Sequence, residues 1–165
     1  MNYKIGIGTD QHQFDHASNK AFVMAGVKIP DAKALKAHSD GDFVLHAIFN
    51  AISSAIGDRS IGYYFDDKDA KNEGMNSAIA IAFILQKARE KSLRVNNVAI
   101  SIECKTPKID PHVNEMKKNI AMLLGCSEHD VGITASTGEG LSAYGKGEGV
   151  FAQCAVSLIG ETKQV

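Results

Sequence analysis

Asp10-Gln11-His12 sets a carboxylate and an imidazole two residues apart. In extended backbone such residues point the same way and can converge on one ion. A lone pair of this kind is as readily a surface hydrogen bond. This one has company: Ala37-His38-Ser39-Asp40-Gly41-Asp42 follows, and His46 comes four residues after Asp42, one helical turn along the same face. His46 can then join Asp10 and His12. Two nitrogens and one carboxylate oxygen suit Zn²⁺ and leave a fourth position open, as a catalytic zinc requires. Asp42 would orient one of the ligands. In the competing reading Asp42 caps the helix and His46 packs in the core. Spacing alone leaves both open.

A second group lies near the C-terminus. Ala135-Ser136-Thr137-Gly138-Glu139-Gly140 and Gly145-Lys146-Gly147-Glu148-Gly149 combine small residues and hydroxyls just after a strand. Such a stretch leaves backbone N–H groups free to cradle phosphate oxygens. Glu139 could hold Mg²⁺, which binds through few carboxylates plus substrate phosphates. The P-loop spacing is absent, and a glycine-rich hairpin is the plainer alternative. Lys105-Thr106-Pro107-Lys108 puts two lysines before a helix N-terminus, where anions are attracted. Phe65-Asp66-Asp67-Lys68-Asp69 is an acidic loop able to bind a cation, bond a sugar hydroxyl or stay in water.

Several elements must position these residues. Tyr3, Ile5 and Ile7 alternate with Lys4, Gly6 and Gly8, the period of a strand, so Asp10 and His12 fall just past its end. Residues 21–29 read as a hairpin broken at Ala25-Gly26. A helix capped by Ser39 or Asp40 carries Val44, Leu45, Ile48, Ile52 and Ile56. Ser77 caps a second, with Ile81, Leu85 and Ala88. Val98, Ile100 and Ile102 mark a central strand. Pro111 opens a third helix that stops at Gly125. Val131 and Ile133 begin a strand, and residues 150–159 form a long apolar one. Helices on one face of a mixed sheet make an α/β or α+β layer fold.

The 165 residues suit one domain, residues 1–165, and 44% hydrophobic content supplies an ordinary core. Eighteen basic against nineteen acidic residues give a formal charge of −1, so nucleic acid is not an expected partner. Without an apolar run of about 18 residues, neither is a membrane. No secretory signal is visible at the start. Cys104, Cys126 and Cys154, scattered and odd in number, read as reduced thiols.

In this order the pieces resemble the 2-C-methyl-D-erythritol 2,4-cyclodiphosphate synthase family of the non-mevalonate isoprenoid pathway. The carrying residues are Asp10-x-His12, His38-Ser39-Asp40-Gly41-Asp42-x-x-x-His46, Ile61-Gly62-x-x-Phe65-x-Asp67-x-Asp69, Pro107-Lys108, Thr137-x-Glu139 and Gly145-Lys146-Gly147-Glu148-Gly149. The resemblance implies a ferredoxin-like core and a homotrimer with sites between subunits. It implies a metal-dependent phosphorus–oxygen lyase that cyclises 4-diphosphocytidyl-2-C-methyl-D-erythritol 2-phosphate and releases CMP. Zn²⁺ would sit on Asp10, His12 and His46, and Mg²⁺ or Mn²⁺ on Glu139. His38 and Thr137 would stabilise the transition state. Cys104, Lys105, Pro107 and Lys108 would face the cytidine diphosphate, with Ser136 and Lys146 among the substrate contacts. Ser39, Ser60, Ile61, Gly62, Phe65, Asp67 and Asp69 would face the methylerythritol phosphate. Ser60 stands where the family carries an aspartate before Ile-Gly, with Asp58 two residues earlier, and Gly138 shortens a threonine run. The compartment implied is bacterial cytoplasm, or a plastid-type organelle if a transit peptide has been removed. A second reading is a non-catalytic trimeric homologue that binds metal and cytidine diphosphate.

Overall fold

Gly6 and Gly8 decide where the first helix lies. The computed structural model describes residues 3–160, and its first strand, β1 (Tyr3–Gln13), turns Gly6, Gly8, Asp10 and His12 to one face. A Cβ at Gly6 or Gly8 would overlap the backbone of Ala51 or Ala47, so α1 (Phe43–Ile56) runs against β1 backbone to backbone. Apolar on nearly every side, α1 is buried along almost its whole length. The strand periodicity is as expected, but Ile5 and Ile7 occupy the outer face, 75% and 58% exposed.

β1 pairs with β6 (Gly149–Gly160), β6 with β4 (Leu93–Glu103), and β4 in parallel with β5 (Val131–Ser136). The sheet order is β1-β6-β4-β5. With α1, α3 (Ser77–Glu90) and α4 (Val113–Leu124) cover one face. Val150, Ala152, Cys154, Val156 and Leu158 of β6 point into that layer, in one continuous cluster of buried side chains. Phe151, Gln153 and Ala155 point to the other face, so β6 alternates rather than burying every residue. A small hairpin, β2 (Phe22–Met24) and β3 (Val27–Ile29), turns at Ala25 and Gly26, both at positive φ. Two short helices, α2 (Ile61–Tyr64) and α5 (Ala143–Lys146), have no forerunner in the sequence reading.

The mixed layered architecture is as expected; the ferredoxin-like connectivity is not. That core runs β-α-β-β-α-β, whereas here the sheet and its covering helices run β-α-α-β-α-β-β. The helix caps also shift. Asp42, not Ser39 or Asp40, caps α1: it accepts from Leu45 N at 3.0 Å, from Ala25 N at 2.9 Å and from Gly26 N. Burial raises its pKa, against these three donors that lower it. Asn76 caps α3, leaving Ser77 inside the helix for another role. Pro111 sits in a short 3₁₀ turn before α4, which stops at Gly125 as expected.

Candidate functional site

Asp10 and His12 lie inside β1 rather than past it, on the face that α1 covers. His46, one residue before Ala47 in α1, is held over them. His12 Nε2 and His46 Nδ1 each lie 3.1 Å from Asp10 Oδ2. One ligand atom from each of the three residues lies within 4.8 Å of the others.

The surroundings decide which nitrogens carry protons. His12 Nδ1 is 3.0 Å from the Lys36 carbonyl, which can only accept, so Nδ1 is the donor and Nε2 turns its lone pair to Asp10. Ser77 donates its hydroxyl proton to Asp40, so its oxygen accepts from His46 Nε2, 2.9 Å away. His46 Nδ1 then also presents a lone pair. Asp42 does not perform this orientation; Ser77 and the Lys36 carbonyl do. Among the described residues, His12 Nε2 is a buried side-chain atom with no directed hydrogen bond. Three lone-pair carriers facing one another attract a proton or a metal cation. The set fits a divalent metal.

The ionisation of the group agrees. Without a metal the imidazoles can take up a proton and donate to Asp10 instead: burial acts to raise the pKa of Asp10, but hydrogen bonds and charge from His12 and His46 in that form prevail and bring it to about 2. Burial acts to lower that of His12, but the Asp10 carboxylate and the Lys36 carbonyl prevail and raise it. A field that draws a proton draws a cation.

The triad opens into a cavity of about 420 Å³ that also takes in His38, Ser39, Ile61, Gly62, Phe65 and Asp67. Lys36, Asn72 and Met75 complete its wall. His38 Nε2 lies 3.4 Å from the Asp69 carbonyl. The Asp69 carboxylate turns away, 2.7 Å from Lys71 Nζ. Ser60 opens instead into a separate groove with Ile7, Asn50 and Asp58.

The remaining expected residues gather at the same end of the sheet, toward its other edge. Thr137 and Glu139 are exposed, as are Ser136, Lys105, Lys108 and Lys146. Glu139 has a positive φ of 47°, a strained state for a non-glycine residue. Pro107, after a cis peptide bond, borders a small cavity of about 120 Å³ with Phe14 and Lys33. Cys104 departs from expectation: its buried thiol donates to the Thr106 carbonyl at 3.0 Å, and burial pushes its pKa up to about 11. Its side chain is a packing group.

Sequence reading missed Ser77, which looked like a cap, and Glu103, which looked like one strand residue among several. The Glu103 carboxylate accepts from the Ser142 hydroxyl, and Ser142 Oγ in turn accepts from Gly145 N at 2.9 Å. A Cβ at Gly138 would overlap that carboxylate. Glycine at 138 and glutamate at 103 therefore go together.

Fold and site define an α/β protein with a side-chain triad suited to a divalent metal, set at the edge of a cavity. The chain belongs to the YgbB family, whose model matches residues 3–159. A 2-C-methyl-D-erythritol 2,4-cyclodiphosphate synthase from Brachyspira hyodysenteriae is 34% identical over 160 residues, 97% of this chain and 99% of that one. The structure of the bifunctional IspDF from Campylobacter jejuni superposes with a TM-score of 0.90 at 32% identity. It is covered over 97% of this chain but 43% of that one, so the present chain spans less than half of the bifunctional protein. The CDP complex of Plasmodium falciparum IspF matches with a TM-score of 0.85 at 28% identity, over 98% of both chains.

Proposed function

We propose that this chain cyclises 4-diphosphocytidyl-2-C-methyl-D-erythritol 2-phosphate to 2-C-methyl-D-erythritol 2,4-cyclodiphosphate with release of CMP. An oxygen of the 2-phosphate attacks the β-phosphorus. The bond between that phosphorus and the oxygen bridging to the α-phosphate breaks, and CMP leaves with the bridging oxygen. Such a transfer needs alignment and charge neutralisation more than a strong base. The observation that carries the reading is the lone-pair triad of Asp10, His12 and His46 at the foot of the cavity, in a chain whose full-length relative bears the synthase name.

Asp10, His12 and His46 would hold Zn²⁺, whose charge polarises phosphate oxygens. Glu139 would hold Mg²⁺ or Mn²⁺, whose charge would offset that of the diphosphate. Ser39 orients the phosphate end of the substrate and Ile61, Gly62, Phe65 and Asp67 the polyol, while His38 and Thr137 stabilise the transition state, Thr137 by donating to the phosphate under attack. Lys108 and the neighbouring backbone face the cytidine diphosphate.

We further propose a homotrimer with each site shared between neighbours. Within one chain the triad lies on edge strand β1 and the start of α1, and the Thr137–Glu139 loop follows edge strand β5. Three strand spacings separate them, roughly 14 Å. The outer sheet face, with Ile5, Ile7, Ala99 and Ala155, offers apolar surface for neighbouring copies. None of the helices among the described residues is long and apolar enough to cross a membrane.

Incubation with the substrate and both metals should yield CMP and cyclic diphosphate in equal amounts. Metal-replete protein that forms neither contradicts the reading. Tight CDP binding without turnover would identify a non-catalytic homologue.

A further inference from the structure

The four residues of α2 are too few to hold a helix by themselves and none is fully buried, only Ile61 and Tyr64 resting half-buried against the core, yet Ile61 and Gly62 form part of the cavity wall. Something outside must fix them. At the N-terminal end, Asn50 Oδ1 accepts from Ile61 N at 3.0 Å, while its Nδ2 donates to the Thr9 carbonyl at 3.2 Å. At the C-terminal end stands a three-way contact. Lys87 Nζ, from α3, lies 2.8 Å from Asp58 Oδ2 and 3.0 Å from Tyr64 Oη, and the Tyr64 hydroxyl donates to Asp58 Oδ1. The ammonium also stands 4.8 Å from the Tyr64 ring centroid and 5.7 Å from that of Phe83. Phe65, the next wall residue, meets Phe49 and Phe83 edge to face at 6.2 and 5.5 Å.

We propose that Asp58, Lys87 and Tyr64 form a clasp that positions the α2 wall against the polyol end of the substrate. The proposal rests on the cyclisation reading above. Asp58 is the acidic residue nearest to Ile61-Gly62 on its N-terminal side, but its carboxylate is committed to Lys87 and Tyr64 and faces away from the cavity. It therefore acts on the substrate through the wall, as a positioning residue. With side chains only 29% and 17% exposed, Lys87 and Asp58 form a pair shielded enough from water to hold one geometry. The tyrosine hydroxyl ties that pair to the last residue of α2.

The test is steady-state kinetics on Lys87→Met, which keeps the aliphatic stem, beside Lys87→Arg, which keeps the cation. Lys87→Met should raise KM about five- to twentyfold while kcat stays within about twofold, the signature of lost uniform binding. Bound zinc and affinity for CDP alone should not change. Lys87→Arg should restore most of the KM, and Tyr64→Phe should fall between the two. An unchanged KM in Lys87→Met overturns the proposal. So does a joint fall in kcat, zinc content and melting temperature, which would mark the contact as a general support of the fold. Inactive wild-type protein would instead overturn the cyclisation reading. The clasp would then be judged by hydrogen exchange of residues 57–66, which should accelerate by about tenfold or more in Lys87→Met, less in Tyr64→Phe and least in Lys87→Arg, and exchange as in wild type in Lys87→Met would overturn it.

Discussion

Asp10, His12 and His46 are built into the packed contact between β1 and α1, whereas Thr137 and Glu139 stand exposed on a loop. In the first region, close backbone approach at Gly6 and Gly8 fixes the ligand spacing, and Ser77 and the Lys36 carbonyl fix the tautomers. Binding of a metal there asks for little reorganisation. In the second region, order comes from Glu103, Ser142 and Gly138 locking the loop from beneath, while the side chains that would meet phosphate point into solvent. One half is finished as the chain folds. In the proposed trimer the other half is completed by a ligand and a neighbouring subunit opposite it. The difference teaches that preorganisation can be complete for the metal and incomplete for the reaction.

The strongest way to break this comparison is to remove a triad ligand. His46→Ala should lose most bound zinc by metal analysis, because two remaining ligands seldom hold the ion against water. Turnover should fall about a thousandfold or more, since several kcal/mol of charge stabilisation go with the metal. Full zinc occupancy in this variant would show that the triad is not the site.

Thr137→Ala should act on the other half alone. Zinc content and assembly stay as in wild type, while kcat falls about a hundredfold, the loss expected for one donor aimed at developing charge. Normal turnover in Thr137→Ala with a loss in Ser136→Ala would move that role one residue along the loop.

The pH response sharpens the contrast by a smaller effect. In metal-free protein the Asp10 contribution, from a pKa lowered to about 2, is present above the ordinary value near 3.9 and is lost as pH falls through the lowered one. His12 is raised above 6.5, so its contribution is full below 6.5 and is lost as pH rises through the raised value. Metal must displace that His12 proton. The rise in melting temperature caused by zinc should therefore shrink as pH falls from about 8 to about 5. Thr137→Ala should show the same trend, and a pH-independent rise would contradict the assignment of His12 as ligand.

The two halves were also unequally legible in the sequence. Alternation along a strand and one turn along a helix are local rules, so spacing could bring Asp10, His12 and His46 together as one of two open readings, and it marked the three long helices outright. Ser77 did not, because its role depends on α3 arriving beside α1, thirty-one residues from His46 in the chain. Type alone made it look like a cap, although Asn76 next to it holds that position. The outward face of Ile5 and Ile7 was hidden for a related reason: glycine at 6 and 8 reads as an absence, yet it is what the helix packs on. Cys104 and Ser60 were placed by family register, which carries no information on which way a side chain turns. Connectivity was beyond reach as well, since periodicity identifies elements but not their neighbours in the sheet.

The most direct test of the shared site mixes the two halves. Neither His46→Ala nor Thr137→Ala chains should support cyclisation well by themselves. After unfolding and refolding a one-to-one mixture, a site is whole only where a chain with intact His46 meets a neighbour with intact Thr137. Random closed assembly puts that at roughly one quarter of sites, so CMP and cyclic diphosphate should form together at about a quarter of the wild-type rate. Activity no higher than the average of the two parents would contradict the account, because each chain would then hold its whole site alone.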